Sequence, residues 1–254
     1  MARLSSVSHE DELSLVEHLD ELRTRIIVCI GVLVAAVSFC FWQNERLLEI
    51  AKEPIPEGIK LFTFGVTEPF TTTFTNVAYF AIILALPVVL YQIYAFVLPA
   101  FSPSERRVAW PLMLLAPVLF VGGVVFCYFV VLPPATTFLL DFNSDEFNTL
   151  VRARDYYSFV TLTMLAMGLG FQVPIAILAV VRLGITTPQK LRQNRRYAIL
   201  VIAIVAAFLP TIDPITLVLE MIPLILLYEL SIVLAAAVGT PRSSPAEPAG
   251  AESA

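Results

Sequence analysis

The chain alternates between long apolar runs and shorter polar segments. Six runs predict membrane-spanning elements: residues 26–42, 74–98, 108–132, 156–181, 197–210 and 215–238. In lipid a backbone satisfies its own hydrogen bonds only as a helix or as a closed barrel. The runs are 14 to 26 residues long and lack the strict polar/apolar alternation of barrel strands, so they predict helices. The expected fold is all-α, a polytopic membrane protein of six transmembrane helices. Residues 1–25 form an N-terminal segment before the membrane domain, 26–238. The tail, 239–254, is rich in Pro, Ser, Ala and Glu and is expected to be disordered.

The runs are not uniform. The fifth holds only 14 residues, roughly 21 Å of helix at about 1.5 Å per residue, against a hydrocarbon core near 30 Å. Either the bilayer thins there or the hairpin stops short of the far surface. Its turn, Pro210-Thr211-Ile212-Asp213-Pro214, suits the end of one helix and the start of the next. Pro87, Pro111, Pro117, Pro174 and Pro223 fall in or near spans, where each removes a backbone donor and tends to kink its helix. The bundle is therefore expected to be curved, with a concave face. Two longer loops, 43–73 and 133–155, are expected to form a folded cap on one side.

Composition agrees with a lipid solvent. The 254 residues are 58% hydrophobic and 15% charged, with a mean hydropathy of +0.82. A net charge of -5 argues against a nucleic-acid binder. Cys29, Cys40 and Cys127 read as small buried hydrophobes and not as a disulfide framework. Of the 16 basic residues, eleven lie in segments on the side of the termini and five on the other. The positive-inside rule then puts both termini in the cytoplasm. Neither a cleavable signal peptide nor a transit segment is recognised, which favours a bacterial inner membrane over an organelle.

Ionisable residues that break this pattern are the candidates for function. The segment before the first span has Leu15, Leu19, Leu22 and Ile26 at helical intervals and a capping-box pair, Ser14 and Glu17. It predicts a short amphipathic helix entering the membrane. Glu21 lies near the interface, either paired with Arg25 one turn away or acting as an acidic receptor for a basic ligand. Glu105 stands three residues after Ser102, with Pro103 between them, which predicts a capping box with proline at the first helical position. A capped carboxylate still keeps an oxygen for an incoming guanidinium. Gln172, Glu220 and Glu229 fall within spans, where polar groups are costly and are functional by default. Glu229 is near a span end and partly wetted. No lysine or arginine falls within a span, so Glu220 is expected to be neutral or to face a polar cavity. A packing role for it remains open.

Enzyme signatures are missing: there is no HExxH, GxSxG or glycine-rich phosphate loop, and no pair of aspartates within a span. No metal or other cofactor is expected. On the residues alone, a receptor, a secondary transporter of a small solute and an intramembrane hydrolase all stay open. No convincing internal repeat supports the transporter.

Several segments together resemble the TatC family, the multi-span subunit of the twin-arginine protein translocase. They are His18-Leu19-Asp20-Glu21-Leu22-Arg23, Glu68-Pro69-Phe70, Pro87-Val88-Val89-Leu90-Tyr91-Gln92, Phe96-Val97-Leu98-Pro99-Ala100, Glu105-Arg106-Arg107, Phe126-Cys127-Tyr128-Phe129 and Gly184-Ile185-Thr186. The resemblance implies a glove-shaped six-span receptor with two short final spans. It also implies recognition of signal peptides bearing consecutive arginines, and export of folded proteins driven by the proton-motive force. The implied partners are these signal peptides, small single-span TatA/TatB-type proteins, further copies of the chain and membrane lipid. By motif match Glu21 and Glu105 would contact the arginine pair, with Arg23 and Phe96 shaping the site. Phe70, Tyr128 and Asp213 match positions on the outer side, with roles in the cap and in partner binding. One position departs: many members of the family carry Glu where this chain has Gln172. Gln cannot titrate, and Glu220 is expected to restore a protonatable group in the same concavity.

Overall fold

The computed structural model describes residues 9–56, 58–97, 103–144, 146, 150–182, 184–207 and 213–238, without the side chains of 9–17, 103–109, 112 and 237–238. The tail, the Ser14/Glu17 pair, Ser102 and the side chain of Glu105 therefore lie outside the described residues.

Helix α1 (His9–Trp42) has 34 residues and is about 51 Å long. That exceeds the hydrocarbon thickness, so the polar entry segment and the first apolar run are one helix. α2 (Asn44–Lys52) and β1 (Leu61–Phe62) fill the first long loop. α3 (Glu68–Val97) begins six residues before its apolar run and continues through Pro87. α4 (Pro103–Phe126) starts at the proline expected in the first helical position. A π-helical turn, Cys127–Val131, carries it into α5 (Leu132–Asp141). β2 (Val151–Arg152) pairs in parallel with β1, Leu61 opposite Val151 and Phe62 opposite Arg152.

The fourth run is broken. α6 (Ala153–Gly170) and α7 (Val173–Arg182) meet at Phe171 and Gln172. Pro174 has no amide proton to continue the ladder, which explains the break beside it. After α8 (Pro188–Gln193) come α9 (Arg195–Ala207) and α10 (Pro214–Val238).

Among the described residues, five helical stretches are long and apolar enough to cross a bilayer: His18–Trp42, Glu68–Val97, Met113–Asp141, Ala153–Arg182 and Pro214–Ala236. The expected fifth run, 197–210, corresponds to α9, described as far as Ala207, and the expected sixth, 215–238, corresponds to α10. Among the described residues the structure supports an all-α membrane bundle with five helices long enough to span.

α3 lies against α1, α4 and α6, while α10 packs on α7 and α9. Small residues set close approaches: Ala36 on α1 and Ala81 and Ala85 on α3 are buried. At the α6/α7 break, a Cβ on Gly123 would fall 2.8 Å from Phe171 Cγ and 2.9 Å from the Met167 carbonyl oxygen. A side chain there would drive α4 away from α6. Many large apolar residues point outward, including Ile26, Ile30 and Val34 on α1 and Val218, Ile222 and Leu226 on α10. In water such a surface would associate; in lipid it is solvated.

The expected cap is present. The Tyr156 hydroxyl donates to the Ala51 carbonyl at 3.0 Å. The Thr136 hydroxyl lies 2.6 Å from the Pro54 carbonyl. Both loops are thereby tied to the ends of the helices.

Candidate functional site

At the end of the bundle away from the cap, α1 and α3 bring together Glu21, His18, Arg25, Gln92 and Phe96. Arg25 lies one helical turn beyond Glu21, and its Nε donates to Glu21 Oε1 at 3.1 Å, with Nη2 on the same oxygen. Arg25 Nη1 donates to Gln92 Oε1 at 3.1 Å, which fixes the guanidinium between the two helices. Glu21 Oε2 lies 3.7 Å from His18 Nδ1, an ion pair only when the imidazole is protonated. The His18 ring stacks on Phe96 at 4.4 Å with the planes 14° apart.

Both arginine donors use one oxygen of Glu21. A carboxylate offers about four acceptor sites, so the other oxygen keeps capacity for a second donor. The side chain of Glu21 is 35% exposed, enough for a ligand to reach it. Arg23 points to the exposed surface of the same helix. Glu105 lies in the first turn of α4, just after the α3–α4 connection.

The intramembrane polar residues separate into three settings. Gln172 sits at the α6/α7 break, where its Nε2 donates to the Ala116 carbonyl at 3.1 Å. Glu220 is fully buried on α10, near Cys127 of the π-helical turn. Glu229 is half-exposed and accepts from Arg195 Nη2 at 2.8 Å. The sequence reading missed that partner because Arg195, the first residue of α9, lies outside the apolar run and 34 residues away.

The three outer-side candidates also differ. Phe70 is exposed and stacks on Phe74 with centroids 6.4 Å apart. The Tyr128 hydroxyl lies 2.7 Å from Glu53 Oε2 and 2.9 Å from the Ile50 carbonyl, so it locks α2 to the π-helical turn. Asp213 Oδ1 accepts from the Thr216 amide at 2.7 Å, the N-cap bond of α10.

Sequence reasoning named Glu68 only as a motif residue and gave it no role. This buried carboxylate accepts from Arg152 Nε at 2.7 Å and from the Phe64 amide at 2.9 Å. It joins the start of α3 to the strand before α6, and its proximity raises the Arg152 pKa above the ordinary arginine range. The available signal was an acidic residue one to two helical turns before an apolar run.

Comparison with known proteins decides the family. The family model for Sec-independent protein translocase protein (TatC) matches residues 17–223. The chain belongs to the TatC family. It is 34% identical to the TatC protein of Desulforapulum autotrophicum, across 97% of this chain and 93% of that protein. With the Aquifex aeolicus TatC protein it shares 36% identity, over 87% and 94% of the two chains. A chloroplast TATC protein of Pisum sativum is 33% identical over 86% of this chain. A crystal structure of the twin-arginine translocase receptor TatC in DDM superposes with a TM-score of 0.75 at 36% identity, covering 86% of this chain and 99% of that one. As in other TatC-family chains, nothing here implies catalysis. Among the described residues no group of three or more His, Cys, Asp or Glu is placed to hold a metal ion.

Proposed function

We infer that this chain is the signal-peptide receptor and core subunit of a twin-arginine translocase, a non-enzymatic membrane protein that serves the export of folded proteins at the expense of the proton-motive force. It sits in a bacterial inner membrane with both termini cytoplasmic. α9 acts as a short fifth crossing, before α10, in a concave, glove-like bundle of six. The receptor face is the end carrying Glu21, Arg23, Phe96 and Glu105.

The observation that carries this reading is the state of Glu21. Its carboxylate already holds one guanidinium, that of Arg25, and is exposed enough to accept another. A planar guanidinium matches a carboxylate in two-pronged fashion, whereas a lysine ammonium is a compact point charge without that fork. Two carboxylates, Glu21 and Glu105, would divide an arginine pair between them. Phe96, backed by His18, supplies an apolar wall for the residues that flank it. Phe70, Tyr128 and Asp213 belong to the outer side, where small single-span TatA/TatB-type partners and further copies of the chain would meet the rigid cap.

Co-purification of the full chain with a twin-arginine signal peptide, compared with its twin-lysine counterpart, tests the assignment. Strong capture of the first and weak capture of the second is expected. Equal capture of both, or full capture after Glu21→Ala with Glu105→Ala, overturns it. Glu220 is read as the protonatable group that Gln172 does not provide. Transport and partner contacts unchanged in Glu220→Leu would rule that role out.

A further inference from the structure

The two oxygens of the Glu21 carboxylate meet different neighbours: Arg25 takes Oε1, and His18 faces Oε2. His18 Nδ1 stands 3.7 Å from Oε2, too far for a hydrogen bond from a neutral ring and close enough for an ion pair from a charged one. The two residues are an i,i+3 pair, so helix geometry keeps them on one face of α1. The imidazole is held there by Phe96 of α3, on which it stacks with centroids 4.4 Å and planes 14° apart. A proton on the imidazole does not loosen that stack, because a cation is attracted to the face of an aromatic ring. The side chain is 48% exposed, so it exchanges protons with solvent.

Among the described residues, the charged and polar side chains of this cluster are Glu21 and Arg25 on α1 and Gln92 on α3. Asp20 and Arg23 are exposed on other faces of α1. Glu17 on α1, and Glu105, Arg106 and Arg107 at the start of α4, have side chains outside the described residues. On the reading of Glu21 as part of the signal-peptide site, we propose that His18 is a positioning residue that makes peptide capture depend on pH. Neutral, it leaves Glu21 Oε2 to an incoming guanidinium. Protonated, it claims that oxygen and adds a positive charge where the arginine pair arrives. Histidine is the side chain that changes charge between about pH 5 and 8, so the exchange falls in the range a cell experiences. The linkage is reciprocal: a proton on His18 that weakens capture must be expelled by capture.

Calorimetric titration of the purified full chain with a twin-arginine signal peptide, at about pH 7.5 and about pH 5.5, tests it. Capture should weaken about threefold at the lower pH, the effect of one exposed ion pair. Near the middle of that range, titrations in buffers of different ionisation enthalpy should show protons released on capture. His18→Phe keeps a ring against Phe96 and cannot titrate, so its ratio of capture at the two pH values should approach one and its proton release should vanish. Equal capture by the parent at both pH values, proton uptake in place of release, or an unaltered pH profile in His18→Phe would each overturn the proposal. Equal capture of a twin-lysine peptide at the higher pH is a separate failure, and it would overturn the receptor reading on which the proposal rests.

Discussion

The two ends of the bundle are built from different interactions. At the capped end, Tyr156, Thr136 and Tyr128 reach main-chain carbonyls of Ala51, Pro54 and Ile50, partners 78 to 105 residues apart. At the other end, Glu21 and Arg25 are four residues apart on one helix and both remain partly exposed. From Glu21 to Trp42, where α1 meets the cap, is roughly 31 Å of helix. Long-range bonds between neutral hydroxyls and carbonyls fix which helices are neighbours, and salt hardly touches them. A local pair of charges fixes little, because an incoming guanidinium can take the place of the resident one without disturbing the fold. The capped end holds the shape, and the charged end is free to exchange partners.

The sharpest way to break this contrast is at the cap. Tyr156→Phe combined with Thr136→Val should destabilise the protein by about 1–3 kcal/mol, since one buried and one part-buried carbonyl lose their donors. Thermal unfolding in detergent should register the loss, while capture of a twin-arginine peptide by the folded fraction stays unchanged. Reduced capture in that fraction would mean that the two ends are coupled. Glu21→Ala should do the reverse. Capture is expected to fall about tenfold, the loss of one charge-assisted interaction, with little change in melting temperature. A large fall in melting temperature would instead make Glu21 a structural residue.

The same contrast explains what could be read from the chain. Apolar runs report burial in lipid directly, so five spans were visible from composition alone, and Pro103 marked the start of α4 because its ring suits a first helical turn. The extent of α1 was less clear: its polar first half and apolar second half differ in composition but share one uninterrupted ladder. Cap bonds were largely invisible. Tyr156 and Ala51 carry no local sign that they meet, and the β1–β2 pairing depends on loops far apart in the chain. Glu21 was legible because an acid at a membrane entry is unusual, and its i,i+4 partner Arg25 was within reach of helix geometry. Gln92 and Phe96 were visible only as motif residues, since their contacts with Arg25 and His18 come from the packing of α3 on α1.

Salt should separate the two ends further. Raising ionic strength from 0.15 M to 1 M shortens the screening length from about 8 Å to about 3 Å, so peptide capture at the half-exposed Glu21 should weaken severalfold. The melting temperature of the Tyr156→Phe, Thr136→Val variant relative to the parent should not move with salt. Binding titrations and thermal scans at the two salt concentrations would check both halves. A salt-insensitive capture would mean that apolar contacts, through Phe96 for instance, dominate recognition.

The smallest effect concerns Arg25. It occupies Glu21 Oε1 and adds positive charge where two further guanidinium groups would arrive, so it competes with the ligand. Arg25→Gln removes that charge and leaves an amide able to bond Gln92 across the helix interface. Capture of a twin-arginine peptide should then rise about two- to threefold at low salt, because a half-exposed ion pair contributes little and is screened. The gain should vanish at 1 M salt. A fall in capture at both salt concentrations would show that Arg25 orients the Glu21 carboxylate more than it competes for it, and the charged end would then be a preformed site.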